Sequence, residues 1–114
     1  MRIEVKARGA TVGDELRERI ERRFEKIGRQ VSPLAVLDVE LIEERNPSIR
    51  ESQVVECTLR LKGVTLRARS ASMDMAHAVN CAEEDLARQV KRHRDKRRAR
   101  RAAAKAEVRP AASP

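Results

Sequence analysis

The sequence predicts an α+β domain, a two-layer sandwich in which two helices pack on one face of a four-stranded sheet. Four segments alternate apolar and polar residues, which is the period of a strand covered on one side. Two other segments repeat apolar residues every three or four positions, which is the period of an amphipathic helix. Their order is β-α-β-β-β-α. The chain has 114 residues, enough for about one hydrophobic core.

The first three predicted elements form a β-α-β unit. Residues 2–7 alternate as a strand, and a helix is predicted from about Val12 to Gln30. Its apolar stripe consists of Val12, Leu16, Ile20, Phe24 and Ile27. Thr11 and Asp14 predict a capping box at the helix start. Ser32-Pro33 ends the helix, and alternation returns at residues 34–43. A right-handed crossover would make these two strands parallel.

The third and fourth strands are predicted at residues 53–62 and 64–70, after a polar connection at 44–51. A turn at Lys62-Gly63 would place apolar residues opposite one another: Leu61 and Val64, Leu59 and Leu66, Cys57 and Ala68. The same register opposes Glu56 with Arg69 on an outer face predicted to be polar. A type I′ turn here would require a positive φ at Lys62, which is uncommon for a residue other than glycine.

The second helix is predicted to start near Ser72 as N-cap, with Asp74 in its first turn. Its core stripe consists of Met75, Val79, Ala82, Leu86 and Val90. Large apolar residues are then absent until Val108, so the helix is expected to continue past the sheet as a charged projection. We expect an α+β domain at residues 1–98, then a flexible tail at 99–114, first basic and then rich in Ala and Pro, with disorder from Val108 onward.

The net charge of +8 is concentrated in the last quarter of the chain. Eleven basic and two acidic residues follow Ala87, a net charge of +9, whereas residues 1–87 carry −1. Such a local basic segment favours a polyanionic partner and phosphate contacts. RNA is favoured over DNA because the sequence has no helix-turn-helix, zinc-finger or zipper pattern. The alternatives are a disordered basic tail that binds polyanions indiscriminately and a general double-stranded-RNA module.

Several other classes of function are disfavoured. Phe24 is the single aromatic residue, which excludes base stacking on aromatic platforms. No apolar run approaches the roughly 20 residues of a membrane span, and the N-terminus lacks a secretory signal, so we expect a cytoplasmic protein. His77 and Cys81 are four residues apart, but no further ligand or Gly-rich loop accompanies them. We therefore predict no catalytic site, metal, cofactor or small-molecule substrate, and we interpret Cys57 and Cys81 as buried free thiols.

Four motifs in the second helix resemble a known family: Asp74-Met75, Ala78-Val79-Asn80, Leu86-Ala87-Arg88-Gln89 and His93-Arg94-Asp95-Lys96. They are similar to those of the ribosome hibernation-promoting factor and ribosome-associated inhibitor family, also called sigma-54 modulation proteins, over residues 1–98. The resemblance implies the same fold, and binding without catalysis to the small ribosomal subunit in the channel of messenger and transfer RNA. It thus implies translation inhibition and ribosome hibernation, whereas the older family name suggests a transcription modulator with a protein partner.

The resemblance also implies which residues contact ribosomal RNA. They are Arg88, Lys91, Arg92, His93, Arg94 and Lys96 on the second helix and, more loosely, Arg22, Arg23 and Lys26 on the first. Arg97, Arg98, Arg100 and Arg101 extend the basic surface beyond the motif. Ala76 stands where the family commonly has Tyr and Asp85 where it often has Lys, so weaker binding is expected on that side. The chain resembles either a short family member or the N-terminal half of a long one.

Overall fold

The structure is a computed structural model that describes residues 1–108, with side chains described through Ala106. The strands are β1 (Arg2–Arg8), β2 (Val36–Glu43), β3 (Gln53–Leu61) and β4 (Val64–Ser72), and the helices are α1 (Asp14–Gly28) and α2 (Met75–Val108). The predicted order and α+β class are confirmed. Disorder was expected from Val108 onward, but Val108 is the last residue of α2, and residues 109–114 lie outside the described residues.

The sheet has the order β1-β2-β3-β4. β1 and β2 are parallel, and the other two neighbouring pairs are antiparallel. The predicted hairpin register is confirmed, because Leu59 pairs with Leu66 and Glu56 with Arg69. Gly63 has a φ of 79°, and no non-glycine residue among those described has a positive φ. The turn is therefore not type I′, and Lys62 avoids the unfavourable conformation.

The core lies between the inner face of the sheet and both helices. α2 packs on β3 and β4, and α1 lies beside α2. The helices contribute most of their predicted stripes to this core, in which Ile20, Phe24 and Leu86 are fully buried. The prediction of a polar outer sheet face is wrong at one end. There Val54, only 2% exposed, pairs with Ile42, and it shares a depression with Ile49 of the connection at 44–52.

Both predicted helix caps are wrong. α1 begins after Gly13, which has an extended backbone (φ −78°, ψ 166°) and offers no side-chain cap. Thr11 lies two residues before this N-cap, so the capping box does not form. At the second helix, Ser72 still pairs with Gln53 in the sheet. Asp74 caps α2 instead, because its carboxylate accepts a hydrogen bond from the Ala76 backbone N–H at 3.2 Å.

The 34-residue α2 extends well beyond the sheet. Its last buried core residue is Val90, and residues 98–106 are all exposed. An α-helix rises about 1.5 Å per residue, so the part after Val90 accounts for roughly 27 Å of the molecule's length. The overall dimensions of 73 × 28 × 19 Å reflect this projection. The helix is continuous through residue 98, the predicted boundary between domain and tail.

Candidate nucleic-acid interface

Three of the predicted site residues on α2 form one row, which begins at Arg88 on the solvent side, opposite the core, and turns toward β4 at Lys96. Arg88, Arg92 and Lys96 recur every four residues, so they follow one side of the helix. The orientation of that side is set by Gln89, whose Nε2 donates a hydrogen bond to the backbone oxygen of Arg67 in β4 at 2.6 Å. All three cations are exposed. α2 therefore presents a row of exposed positive charge that approaches its β4 side.

Asp85 interrupts this row at its N-terminal end. Its Oδ1 lies 3.6 Å from Nη2 of Arg88, and the side chains of Arg88 and Asp85 are 73% and 42% exposed. An exposed ion pair of this kind contributes little to stability. Its effect on the surface is electrostatic, because the carboxylate partly neutralises Arg88. Asp85 therefore weakens the positive potential around Arg88. Arg92 and Lys96 lie one and two turns further along the helix, away from this carboxylate.

Lys91 and Arg94 lie on the opposite side of α2, toward α1. They follow Glu84 and Glu83 by 7 and 11 residues, spacings that return to the same side of a helix. That side is identified by Arg23 of α1, which contacts both glutamates. Lys91 is exposed and Arg94 is half-buried. The predicted α2 cations are thus divided between two sides of one helix.

The three predicted residues of α1 have different environments. Arg22 is exposed, and its Nη2 lies 4.0 Å from Oε2 of Glu18, while Lys26 is exposed in the last turn. Arg23 is only 38% exposed, and its Nε lies 3.3 Å from Oε2 of Glu83. The angle of this contact does not make a hydrogen bond, so it is a charge contact. Its Nη2 donates a hydrogen bond to Oε1 of Glu84 at 3.2 Å.

Arg23 therefore belongs to the contact between the helices more than to a free basic surface. Glu83 is a buried acidic residue at 7% exposure, and Arg23 supplies its counter-charge. Ala76, where the family commonly has Tyr, lines the same α1–α2 groove together with Leu16 and Asn80. A small residue at this position leaves the groove open.

His93 and Arg94 are half-buried where α2 leaves the sheet. They line one cavity with Lys62 of the β3–β4 turn and with Arg97. The sequence interpretation assigned Lys62 only to a turn and ranked Arg97 below the motif residues. The motif could not indicate this cluster, because Lys62 lies some 30 residues away in sequence and joins it through strand pairing.

The remaining chemistry-bearing residues lie elsewhere. Nε2 of His77 is 3.4 Å from Sγ of Cys81, and its Nδ1 is 3.5 Å from Oγ of Ser72. Across the described residues, no group of three or more His, Cys, Asp or Glu side chains is placed to hold a metal ion. Burial, with a smaller contribution from Glu83, raises the pKa of Cys57 to about 12. Cys57 therefore remains a protonated, buried thiol at neutral pH.

Within residues 1–108, no helix is both long enough and apolar enough to cross a lipid bilayer. The fold and its charges define a small α+β domain built around a long cationic helix. A family model described as Sigma 54 modulation protein / S30EA ribosomal protein matches residues 3–98. The chain belongs to this family, and the resemblance found in the sequence is confirmed.

The sequence identities to individual relatives are low. The Ribosome hibernation promoting factor of Acinetobacter guillouiae is 23% identical over 99 residues, covering 82% of this chain and 88% of the relative. A ribosomal subunit interface protein from Coxiella burnetii superposes with a TM-score of 0.68 at 19% identity, covering 83% of this chain and 99% of that one. The N-terminal domain of Thermus thermophilus Protein Y gives 0.69 at 22% identity, covering 82% and 99%. The two superpositions establish the shared fold.

Proposed function

We propose that this protein binds the small ribosomal subunit in the channel that messenger and transfer RNA would occupy, and so inhibits translation and maintains ribosomes in hibernation. The observation that carries the proposal is the exposed set of cations that α2 presents on a regular helix: Arg88, Lys91, Arg92 and Lys96. Relatives named for ribosome hibernation and for the ribosomal subunit interface support a ribosomal partner. The action is steric and requires no catalysis, and its place is the cytoplasm.

The division of the cations between two sides of α2 suits a helix inserted between RNA segments. Arg88, Arg92 and Lys96 would face one segment, and Lys91 with Arg22 and Lys26 of α1 would face another. Arginine donates planar, paired hydrogen bonds that fit phosphate oxygens. Because Phe24 is buried and is the single aromatic residue, stacking on bases does not contribute. Recognition would depend on phosphate positions and on RNA shape.

A general RNA- or polyanion-binding activity is the second candidate. It is favoured by the projecting part of α2, where Arg98, Arg100, Arg101 and Lys105 are exposed and lie beyond the core. Such a segment can contact any phosphate backbone without reading its sequence. The two candidates differ in specificity, since only the first requires the surface shape of one ribosomal subunit.

The test is co-sedimentation of the full chain with isolated small and large subunits across a salt series, with excess duplex RNA as competitor. Ribosome hibernation predicts saturable binding near one copy per small subunit that survives the competitor. Equal binding to both subunits, removed by duplex RNA and by moderate salt, would favour the general polyanion activity. Inhibition of translation by the bound protein in a cell-free system would then test the consequence.

A further inference from the structure

A small cavity lies where α2 leaves the sheet, between the end of α1 and the β3–β4 turn. Its volume is about 120 Å³. A single water requires only about 10–15 Å³ of such volume, so the cavity has room for a larger group. It is lined by residues from three separate parts of the chain, which meet only through the tertiary fold.

The polar lining of this cavity is cationic. Lys62, Arg94 and Arg97 carry permanent charges, and His93 and Ser32 add further hydrogen-bonding groups. No Asp or Glu belongs to the lining, and none of the described carboxylates lies within ion-pair distance of these four basic side chains. By contrast, Arg22 and Arg23 of α1 and Arg29 at its C-cap each have a glutamate partner.

Two groups in this lining retain hydrogen-bonding capacity. Nε of Arg94 is buried and has no partner among the described residues. Ser32 Oγ accepts a hydrogen bond from the backbone N–H of Leu34 at 3.1 Å, which leaves its O–H available as a donor. A buried donor without an acceptor is unfavourable, and so is a group of like charges without a counter-ion. One oxyanion in the cavity would supply the missing counter-charge, and its oxygens could accept from the Ser32 hydroxyl and the Arg94 guanidinium.

We propose that this cavity binds a phosphate group, and that in the ribosome complex it holds one backbone phosphate of ribosomal RNA. The second part rests on the proposed function. A phosphate oxygen would accept from the guanidinium of Arg94, and the charges of Lys62 and Arg97 would balance the phosphate charge. The cavity thus fixes the point at which RNA meets α2, whereas the exposed row of Arg88, Arg92 and Lys96 contacts phosphates without enclosing them.

The first experiment uses inorganic phosphate as the probe and NMR of the arginine Nε–H groups as the readout. Arg94→Lys identifies the Arg94 signal by its disappearance. We expect phosphate to shift this signal saturably in the intact chain, and sodium chloride at equal ionic strength to leave it unshifted. Arg97→Ala should weaken the phosphate effect, while Arg98→Ala, which removes one exposed charge from the next position, should not. Equal responses to phosphate and chloride would overturn the phosphate site.

The second experiment measures affinity for isolated small subunits. Removal of a charge-assisted hydrogen bond should weaken binding about tenfold in Arg97→Ala and in Lys62→Ala, against less than about threefold in Arg98→Ala. Equal effects in all three variants, with the phosphate shift present, would show that the cavity takes free phosphate and would overturn the RNA assignment. If the unmodified chain fails to bind small subunits, the proposed function fails, and the NMR experiment still decides whether the cavity binds phosphate.

Discussion

Nε of Arg23 in α1 lies 3.3 Å from Oε2 of Glu83 in α2, and this ion pair joins the two helices that carry the candidate interface. The Glu83 side chain is 9% exposed and that of Arg23 is 38% exposed. Arg22, the preceding residue, is largely exposed and has only a 4.0 Å contact with Glu18 on its own helix. The two adjacent arginines thus lie in different environments: Arg23 contacts the other helix, and Arg22 lies at the surface.

Arg23→Ala should destabilise the domain, because it leaves the Glu83 carboxylate buried without its counter-charge. Breaking a fully buried pair costs about 3–5 kcal/mol, and solvent screening of Arg23 lowers the expected loss to about 1–3 kcal/mol. Urea unfolding followed by circular dichroism measures it. Arg22→Ala is the matched control, with an expected change within about 0.5 kcal/mol. Equal losses in the two variants would contradict the assignment.

Reversing three exposed α2 charges should remove ribosome binding without unfolding the domain. The triple variant Arg88→Glu, Lys91→Glu, Arg92→Glu places carboxylates where phosphates are proposed to lie, and all three residues are exposed and outside the core. Co-sedimentation with small subunits and circular dichroism together provide the readout.

The control for this variant is the triple change Lys6→Glu, Arg45→Glu, Arg50→Glu, which alters the net charge equally at exposed positions away from α2. We expect this control to keep most of the binding. Unchanged binding in the α2 variant would refute the assigned site, and equal loss in both would show that only net charge matters.

Gly13→Ser should stabilise α1. Gly13 is the N-cap in an extended conformation that serine readily adopts, and a Cβ there meets no atom within 4 Å. A serine oxygen could accept a hydrogen bond from a free N–H of the first turn. Replacement of the glycine would also lower the conformational entropy of the unfolded chain. The gain should be about 0.5–1 kcal/mol. Thr11→Ala should change the stability little, because Thr11 is not the cap. A large loss of stability in Thr11→Ala would show that Thr11 caps α1 after all.

The two thiols should differ in reactivity. Cys57 is 1% exposed and its pKa is raised to about 12, mainly by burial, so its reactive thiolate is scarce at all ordinary pH values. Cys81 is partly exposed, so the interpretation of both cysteines as buried is wrong for this one. A thiol-specific reagent at pH 8 should therefore label one cysteine in the folded protein and two in denaturant. Cys81→Ser should abolish labelling of the folded protein, and rapid labelling of that variant would show that Cys57 is accessible.

Removal of residues 99–114 should leave the stability of the domain unchanged within about 0.5 kcal/mol, because the described part of this segment is exposed. The deletion also removes four cations: Arg100, Arg101, Lys105 and Arg109. If they bind RNA, the slope of log affinity against log salt should become shallower by about 0.7–0.9 for each phosphate that is no longer neutralised. An unchanged slope would exclude the tail from the interface, and a large loss of stability would place it within the domain.

Local patterns in the sequence determined the order of elements, the pairing of β3 with β4 and the core stripes of both helices. Alternation along Leu59, Leu61, Val64 and Leu66 admits one register that keeps apolar residues together, and a shift by one residue would expose them. The helical stripe ending at Val90 likewise encoded where α2 leaves the core. These features follow from neighbouring residues, whose period and apolar character are present in the chain itself.

The sequence predicted that Glu56 faces Arg69, but only the tertiary structure decided what several other polar side chains face. Ser72 and Asp74 are both good N-caps, and pairing of Ser72 with Gln53 left the role to Asp74. Arg22 and Arg23 are the same residue type, but only Arg23 contacts Glu83, which lies on a helix far away in sequence. Lys62 and Arg94 line one cavity only because the β3–β4 turn and α2 reach the same end of the sheet. Such contacts depend on the packing of elements far apart in sequence. The apolar periodicity within one segment does not indicate which distant segment packs against it.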